Sequence, residues 1–237
     1  LSIYWTAGMT KLAAGDFDAD GRDELMAFYN YGGTSTGVWM FDTNADGTLK
    51  YPRFLFYSPY WDWNQTTLVS VRDGAMSKVI ASYDYGEAKT GLWKFELKSD
   101  GSLAYPIRIY YSTTWDASKT KLASLDVNGD DKGDLVAFYD YGGGAMKAWL
   151  FRSTGPGFSA PAAFFSSSTW SVANTELITG DFDGDGCGDV GAAYDYGAGA
   201  GTGVFIFASN GSAPSNPVRV YYSPHWDGSK DNWVMPY

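Results

Sequence analysis

Apolar residues arrive in short bursts along this chain. In the first quarter, β-branched, aromatic and Leu/Met positions concentrate near residues 11–17, 24–30, 37–42 and 53–58, with Gly, Asn, Asp, Ser and Pro between them. Runs of this length bounded by turn-forming residues predict strands, and no 11-residue window carries the stripe of an amphipathic helix. The series then returns. Trp5, Trp61, Trp115, Trp170 and Trp226 stand 56, 54, 55 and 56 residues apart, and seven residues after each come Leu12, Leu68, Leu122, Leu177 and Trp233. Every complete copy carries a tyrosine cluster, Tyr29-Asn30-Tyr31-Gly32, Tyr83-Asp84-Tyr85-Gly86, Tyr139-Asp140-Tyr141-Gly142 or Tyr194-Asp195-Tyr196-Gly197, followed by "GVWMF", "GLWKF", "KAWLF" or "GVFIF".

Four strands recurring every 55 residues or so predict an all-β fold, a β-propeller of four-stranded antiparallel blades. The repeats fall at 5–60, 61–114, 115–169 and 170–225, with a partial copy at 226–237, in a single domain over 1–237. One blade cannot cover both its faces, so the tyrosine clusters and Trp39, Trp93 and Trp149 are expected to pack between blades. Residues 1–8 read as the tail strand of a blade, and "DNWVMPY" at 231–237 as the head strand of the next. Closure within one chain, a homo-oligomeric ring of two chains, and a longer propeller all satisfy that pattern.

Between the first and second strand of a copy lies an acidic loop. The first reads "GDFDADGRDEL", the third "DVNGDDKGD" and the fourth "DFDGDGCGD", whereas the second is shortened to "RDGAMSK". In a nine-residue frame, the first, third, fifth and ninth places bear oxygen: Asp16, Asp18, Asp20 and Glu24; Asp126, Asn128, Asp130 and Asp134; Asp181, Asp183, Asp185 and Asp189. Carboxylates this crowded raise one another's pKa and destabilise the fold unless a cation sits among them. Calcium accepts six to eight oxygens, backbone carbonyls included, so three Ca2+ sites are expected, with the seventh-place carbonyls of Arg22, Lys132 and Cys187 as backbone ligands and none in the second repeat. The twelfth places are Ala27, Ala137 and Ala192 inside predicted strands, so these are not EF-hands, which need a Glu there and flanking helices.

Composition narrows the partners. The 237 residues carry a net charge of −10, the wrong sign for gripping nucleic-acid phosphates. Cys187 is the sole cysteine, so neither an intramolecular disulfide nor a cysteine-based zinc site can form. No apolar run approaches the ~20 residues of a membrane helix. Leu1 follows neither the initiator-Met nor the signal-peptide pattern, which suggests an exported, trimmed chain; Asn64-Gln65-Thr66 and Asn210-Gly211-Ser212 match the N-glycosylation pattern.

Loops, Tyr-Asp-Tyr-Gly turns and the tryptophan spacing together make the chain resemble the FG-GAP or VCBS repeat family, with "YG" standing where "FG" is usual. That resemblance implies calcium sites on the blades of an integrin-type propeller, as found in secreted lectins and in binding modules attached to enzymes. Catalysis is not expected. There is one histidine, His225, and "GTSTG" at 33–37 matches a nucleophile elbow only in letters, because it falls in a predicted hairpin rather than a strand-to-helix turn.

Repetition favours binding, because identical shallow sites gain avidity on a multivalent surface. Aromatic faces stack on sugar C–H faces while nearby Asp, Asn and Ser groups bond hydroxyls. The expectation is a secreted, calcium-stabilised, lectin-like propeller recognising a multivalent glycan, with Trp61, Trp115, Trp170, Trp226, Asp62, Asp116 and Asp227 of the interblade loops as contacts. Sealing of blade-to-blade contacts is the competing role for those tryptophans. The alternatives for the whole chain are a protein-interaction or adhesion propeller and a non-catalytic module of a larger secreted enzyme.

Overall fold

The computed structural model describes residues 5–197 and 199–228. Among them are sixteen strands in four antiparallel sheets, each made of four consecutive strands in chain order. Sheet 1 holds β1 (Thr10–Gly15), β2 (Glu24–Gly32), β3 (Ser35–Phe41) and β4 (Arg53–Ser58). Sheet 2 holds β5 (Thr66–Asp73), β6 (Met76–Gly86), β7 (Lys89–Phe95) and β8 (Ile107–Ser112). Sheet 3 holds β9 (Thr120–Leu125), β10 (Asp134–Gly142), β11 (Ala145–Phe151) and β12 (Ala162–Ser167). Sheet 4 holds β13 (Thr175–Gly180), β14 (Asp189–Asp195), β15 (Thr202–Phe207) and β16 (Val218–Ser223). No helix among the described residues is long and apolar enough to cross a membrane.

The predicted strands of the first copy thus form, and each repeat makes one sheet. Of the expected tail strand at 1–8, residues 1–4 lie outside the described residues, and Ala7–Met9 is a 3-10 turn closed by Met9 N–H donating to the Thr6 carbonyl at 2.9 Å. Its counterparts at Trp63–Gln65 and Ala117–Lys119 precede β5 and β9, so residues 5–9 are the linker that opens a sheet. The expected head strand at 231–237, with Trp233, lies outside the described residues.

The chain forms two compact units, Leu1–Ala117 and Ser118–Tyr237, each holding two sheets. In the first, Phe28 of sheet 1 meets Phe95 of sheet 2 edge-on at 4.8 Å, within a core that includes Phe17, Met26, Met40 and Val79. In the second, Phe138 of sheet 3 meets Phe207 of sheet 4 at 5.4 Å, with Val136, Met146 and Trp170 around them. The middle strands are the most buried, and in sheets 2 and 4 the linker tryptophan joins the core on the face that meets the neighbouring sheet. At the start of the first unit the pattern fails: Leu12 is 55% exposed, whereas Leu177, at the same place in the second sheet of its unit, is 8% exposed against sheet 3.

Lysines tie neighbouring sheets at their first strands. Lys11 donates to the carbonyls of Trp63 and Thr66, and Lys121 to the carbonyl of Thr175 and, at 2.7 Å, to Glu176. Phe207 is fully buried and touches Phe138, Phe164, Phe165 and Trp170, so its removal leaves a cavity. Phe207→Ala is expected to lower stability by about 3–5 kcal/mol in urea unfolding; a loss under about 1 kcal/mol contradicts this packing.

Candidate functional site

The three acidic loops adopt one conformation, and their first-place aspartate organises it. Asp16 accepts from the N–H groups of Asp20 and Gly21, Asp126 from those of Asp130 and Asp131, and Asp181 from those of Asp185 and Gly186, at 2.7–3.2 Å. The fifth-place aspartates then accept from the seventh-place N–H, Asp20 from Arg22, Asp130 from Lys132 and Asp185 from Cys187. Such a tight spiral needs left-handed backbone at the fourth and sixth places. The fourth are Ala19 (φ 63°), Gly129 (φ 68°) and Gly184 (φ 79°); the sixth are Gly21 (φ 85°), Asp131 (φ 60°) and Gly186 (φ 84°). Two of the six are not glycine, and each holds a conformation that costs on the order of 1 kcal/mol.

The ninth-place acid stands at the foot of the second strand, buried: Glu24 is 1%, Asp134 2% and Asp189 0% exposed. One oxygen of each accepts from the N–H of the second-place residue, Phe17, Val127 or Phe182. The other oxygens of Asp134 and Asp189 accept from Ser153 and Ser209 at 2.7 Å, just beyond the third strand. Burial pushes the Glu24 carboxyl up from 4.5 to about 7 against the lowering effect of the Phe17 N–H, and the charges of Asp18, Asp20 and Asp16 push the same way. Burial likewise raises Asp134, opposed by the Ser153 and Val127 N–H groups and by the charge of Arg152.

First, third and ninth places converge. Carboxylate oxygens of Asp16, Asp18 and Glu24 lie within 4.8 Å of one another, as do those of Asp181, Asp183 and Asp189. Like charges this close repel by about 3 kcal/mol per pair at an effective dielectric constant of ~20. The fifth-place acids stand outside these groups: Asp20 pairs with the Arg22 guanidinium, and Asp130 lies 3.8 Å from the Lys132 ammonium. In the third repeat Asn128 holds the third place, and its buried Oδ1 has no hydrogen-bond partner, whereas the equivalent oxygens of Asp18 and Asp183 accept from the fifth-place N–H. An oxygen shut off from water with no proton facing it is what a hard cation takes as a ligand.

The second repeat resolves the charge differently. Its loop is a hairpin, Asp73 pairing with Met76, and in the register that sets Gly15 beside Glu24 it sets Val71 beside Lys78. A lysine therefore stands where the other sheets carry the buried acid. Lys78 pairs with Asp73 and lies 3.5 Å from Glu96, which also binds the buried Lys94 at 3.0 Å. The loops also touch the next sheet at one place: Ser77 N–H donates to the Asp16 carbonyl and Gly188 N–H to that of Asp126, both at 2.6 Å.

The linker tryptophans are placed unequally. Trp170 is 8% exposed, edge-on to Tyr194, Phe205 and Phe207, with its N–H on Thr175 Oγ1 at 2.8 Å. Trp61 repeats this against Tyr83, Trp93 and Phe95 with Thr66, and Asp62 caps the following turn through the Asn64 N–H. These placements favour the packing role for both. Trp115, Asp116 and Asp227 are half-buried, and Trp226 is 44% exposed beside Tyr221. In the "GTSTG" stretch Ser35 opens β3 directly after a hairpin turn, so no strand-to-helix elbow forms.

The tyrosine clusters divide in two. The first tyrosine of each packs inward, but the second is exposed: Tyr31 46%, Tyr85 42%, Tyr141 53% and Tyr196 39%. The side chain of the residue between them accepts from the glycine N–H, as Asn30 does from Gly32 and Asp84 from Gly86 at 2.8 Å, and the glycine takes a positive φ. In sheets 1, 2 and 3 the ladder shifts register there, and the second ring still packs against the first, at 5.1, 4.8 and 4.8 Å. The sequence expectation that all these tyrosines pack between blades is corrected for the second of each pair, which lies beside the first and stays 39–53% exposed.

No family model matches the chain, and no curated protein sequence matches it. Among solved structures, AofleA from Arthrobotrys oligospora is similar with a TM-score of 0.53 at 12% identity, over 91% of this chain. The matched region spans 60% of AofleA, and at this identity the likeness is one of fold.

Glu24 makes the loop's electrostatics measurable. Between pH 4.5 and about 7 the folded chain holds this proton more tightly than the unfolded chain, so the stabilisation is full below pH 4.5 and lost as pH rises through 7. In chelator, Glu24→Gln is expected to gain melting temperature relative to the natural chain progressively across that window; a difference independent of pH contradicts the burial of this charge.

Proposed function

We propose that this chain is a secreted, calcium-stabilised, carbohydrate-binding protein whose four sheets are blades of a β-propeller. The observation that carries the binding half is repetition at the surface: sheet after sheet presents half-exposed tyrosines at the same place, each an apolar face with a polar tip. Weak contacts of that kind, repeated on one molecule, suit a multivalent glycan, where avidity multiplies them. The geometry of the acidic loops supports the other half. Asp16, Asp18 and Glu24, and Asp181, Asp183 and Asp189, would hold the ion in the first and fourth repeats, and Asp126, Asn128 and Asp134 in the third. Arg22, Lys132 and Cys187 would contribute carbonyls, and Asp20, Asp130 and Asp185 fix the seventh-place backbone from which those carbonyls come.

Bound calcium supplies positive charge to crowded carboxylates; the rest is done by the chain. The ninth-place acid clamps the loop to the second strand, and the first-place carbonyl passes that order to the neighbouring sheet through Ser77 or Gly188. Loss of the ion therefore loosens the sheets that display the tyrosines, and sugar binding follows calcium without calcium touching sugar.

A screen on an array of immobilised glycans in millimolar calcium, repeated after chelation, tests this reading. Binding to a defined set of glycans, competed by the free saccharide and weakened by chelator, is expected. Silence across the array from folded protein contradicts carbohydrate binding and transfers the reading to a protein-binding propeller.

A further inference from the structure

Sheets 1, 2 and 4 build the same exposed aromatic platform, and one tyrosine ring separates it from the linker tryptophan that precedes each sheet. A tyrosine at the end of the second strand meets a tyrosine of the fourth strand nearly at right angles. The pairs are Tyr31 with Tyr57 at 6.1 Å, Tyr85 with Tyr111 at 5.9 Å and Tyr196 with Tyr222 at 5.9 Å. The fourth-strand partners are 48%, 42% and 43% exposed. Between them the third strand carries glycine. A Cβ on Gly37, Gly91 or Gly203 would come within 2.5, 3.0 or 3.1 Å of the second-strand tyrosine ring, so glycine is what lets that ring lie down on the strand.

Packing alone does not account for the polar groups arrayed here. Trp39 and Trp93 donate their indole N–H to the hydroxyl oxygens of Tyr31 and Tyr85 at 3.1 and 3.0 Å. Each hydroxyl oxygen thereby accepts from the indole and keeps its own proton to donate beside an exposed ring. In sheets 2 and 4 a guanidinium joins, Arg108 standing 4.4 Å over Tyr111 and Arg219 5.3 Å over Tyr222. Sheet 3 lacks the platform: Lys147 stands where the others have glycine, opposite Ser166 where they have the fourth-strand tyrosine.

We propose that these three tyrosine platforms, and not the linker tryptophans, are the saccharide contacts, each seating one pyranose unit of a neutral glycan. The inference rests on the carbohydrate-binding reading. A pyranose offers a C–H face to a ring and hydroxyls to a tyrosine donor and an arginine fork, which is the mixture displayed here. Neutrality follows from charge: a chain of net charge −10, still negative with three calcium ions bound, repels an acidic polysaccharide, and two arginines set over rings do not offset that.

The test compares variants on an array of immobilised neutral and acidic glycans in calcium. The combined substitution Tyr57→Ala, Tyr111→Ala and Tyr222→Ala is expected to lower binding to neutral glycans at least tenfold, while Trp226→Ala stays within twofold of the natural chain. Tyr31→Phe with Tyr85→Phe, which removes two hydroxyls and no ring, is expected to weaken binding several-fold in protein that still unfolds cooperatively, with a small loss of melting temperature from the freed indole N–H groups, and carries the test if the triple variant fails to fold. Natural binding strength in the tyrosine variants overturns the platform assignment and leaves carbohydrate binding standing. Binding confined to acidic glycans overturns the neutral assignment. No binding by the natural chain to any glycan overturns both.

Discussion

Backbone N–H groups hydrogen-bonded to a buried carboxylate at the foot of the second strand hold each acidic sheet together. In sheets 3 and 4 that one side chain joins the loop before the strand to the segment that leaves the third strand, through Val127 and Ser153 or Phe182 and Ser209. The arrangement is stable as hydrogen bonding and unstable as electrostatics, because the same group lies near the first- and third-place oxygens. Positive charge relieves that repulsion: in the second sheet the ammonium of Lys78 stands among Asp73 and Glu96, and in the acidic loops the proposed calcium would do so. That both solutions sit at one register position is the strongest sign that the acids are there for their charge and not only for solvation.

Order then spreads outward from the loops. The first-place carbonyl hands a hydrogen bond to the next sheet, and each compact unit buries a core between its two sheets. Linker tryptophans finish that core from the rim. Carbonyl oxygens of Trp61 and Trp115 accept from Thr36 and Thr90 of the sheet behind, while the Trp61 ring packs on the sheet ahead. With the tryptophans committed in this way, surface chemistry passes to the ends of the strands, where a third-strand glycine and an Asx-type turn accompany the exposed tyrosine.

Most of this architecture was legible in the sequence because the period is strict. Strand number, strand place and the alignment of Asp16, Asp126 and Asp181 follow from repeats about 55 residues long. What pattern could not separate was the two tyrosines of one cluster. Tyr29 and Tyr31 lie two apart and do share a face, their rings 5.1 Å apart, and it is the place of Tyr31 at the strand's end that leaves it 46% exposed, which alternation does not encode. Lys78 was hidden because deletion of the loop removes the alignment that equates it with Glu24; the strand register restores it. Burial of Trp170 and Leu177 depends on the sheet packed against them within their unit, a fact of tertiary contact and not of local composition.

Calorimetric titration of calcium into the chelator-stripped chain is the most direct test of this account, because every part of it begins with charge in the loops. Three ions per chain are predicted, falling to two in Asp183→Ala, with melting temperature rising as the sites fill. Absence of binding heat together with an unchanged melt in millimolar calcium would contradict it, and so would a fourth equivalent ion, which the Lys78 sheet has no place to hold.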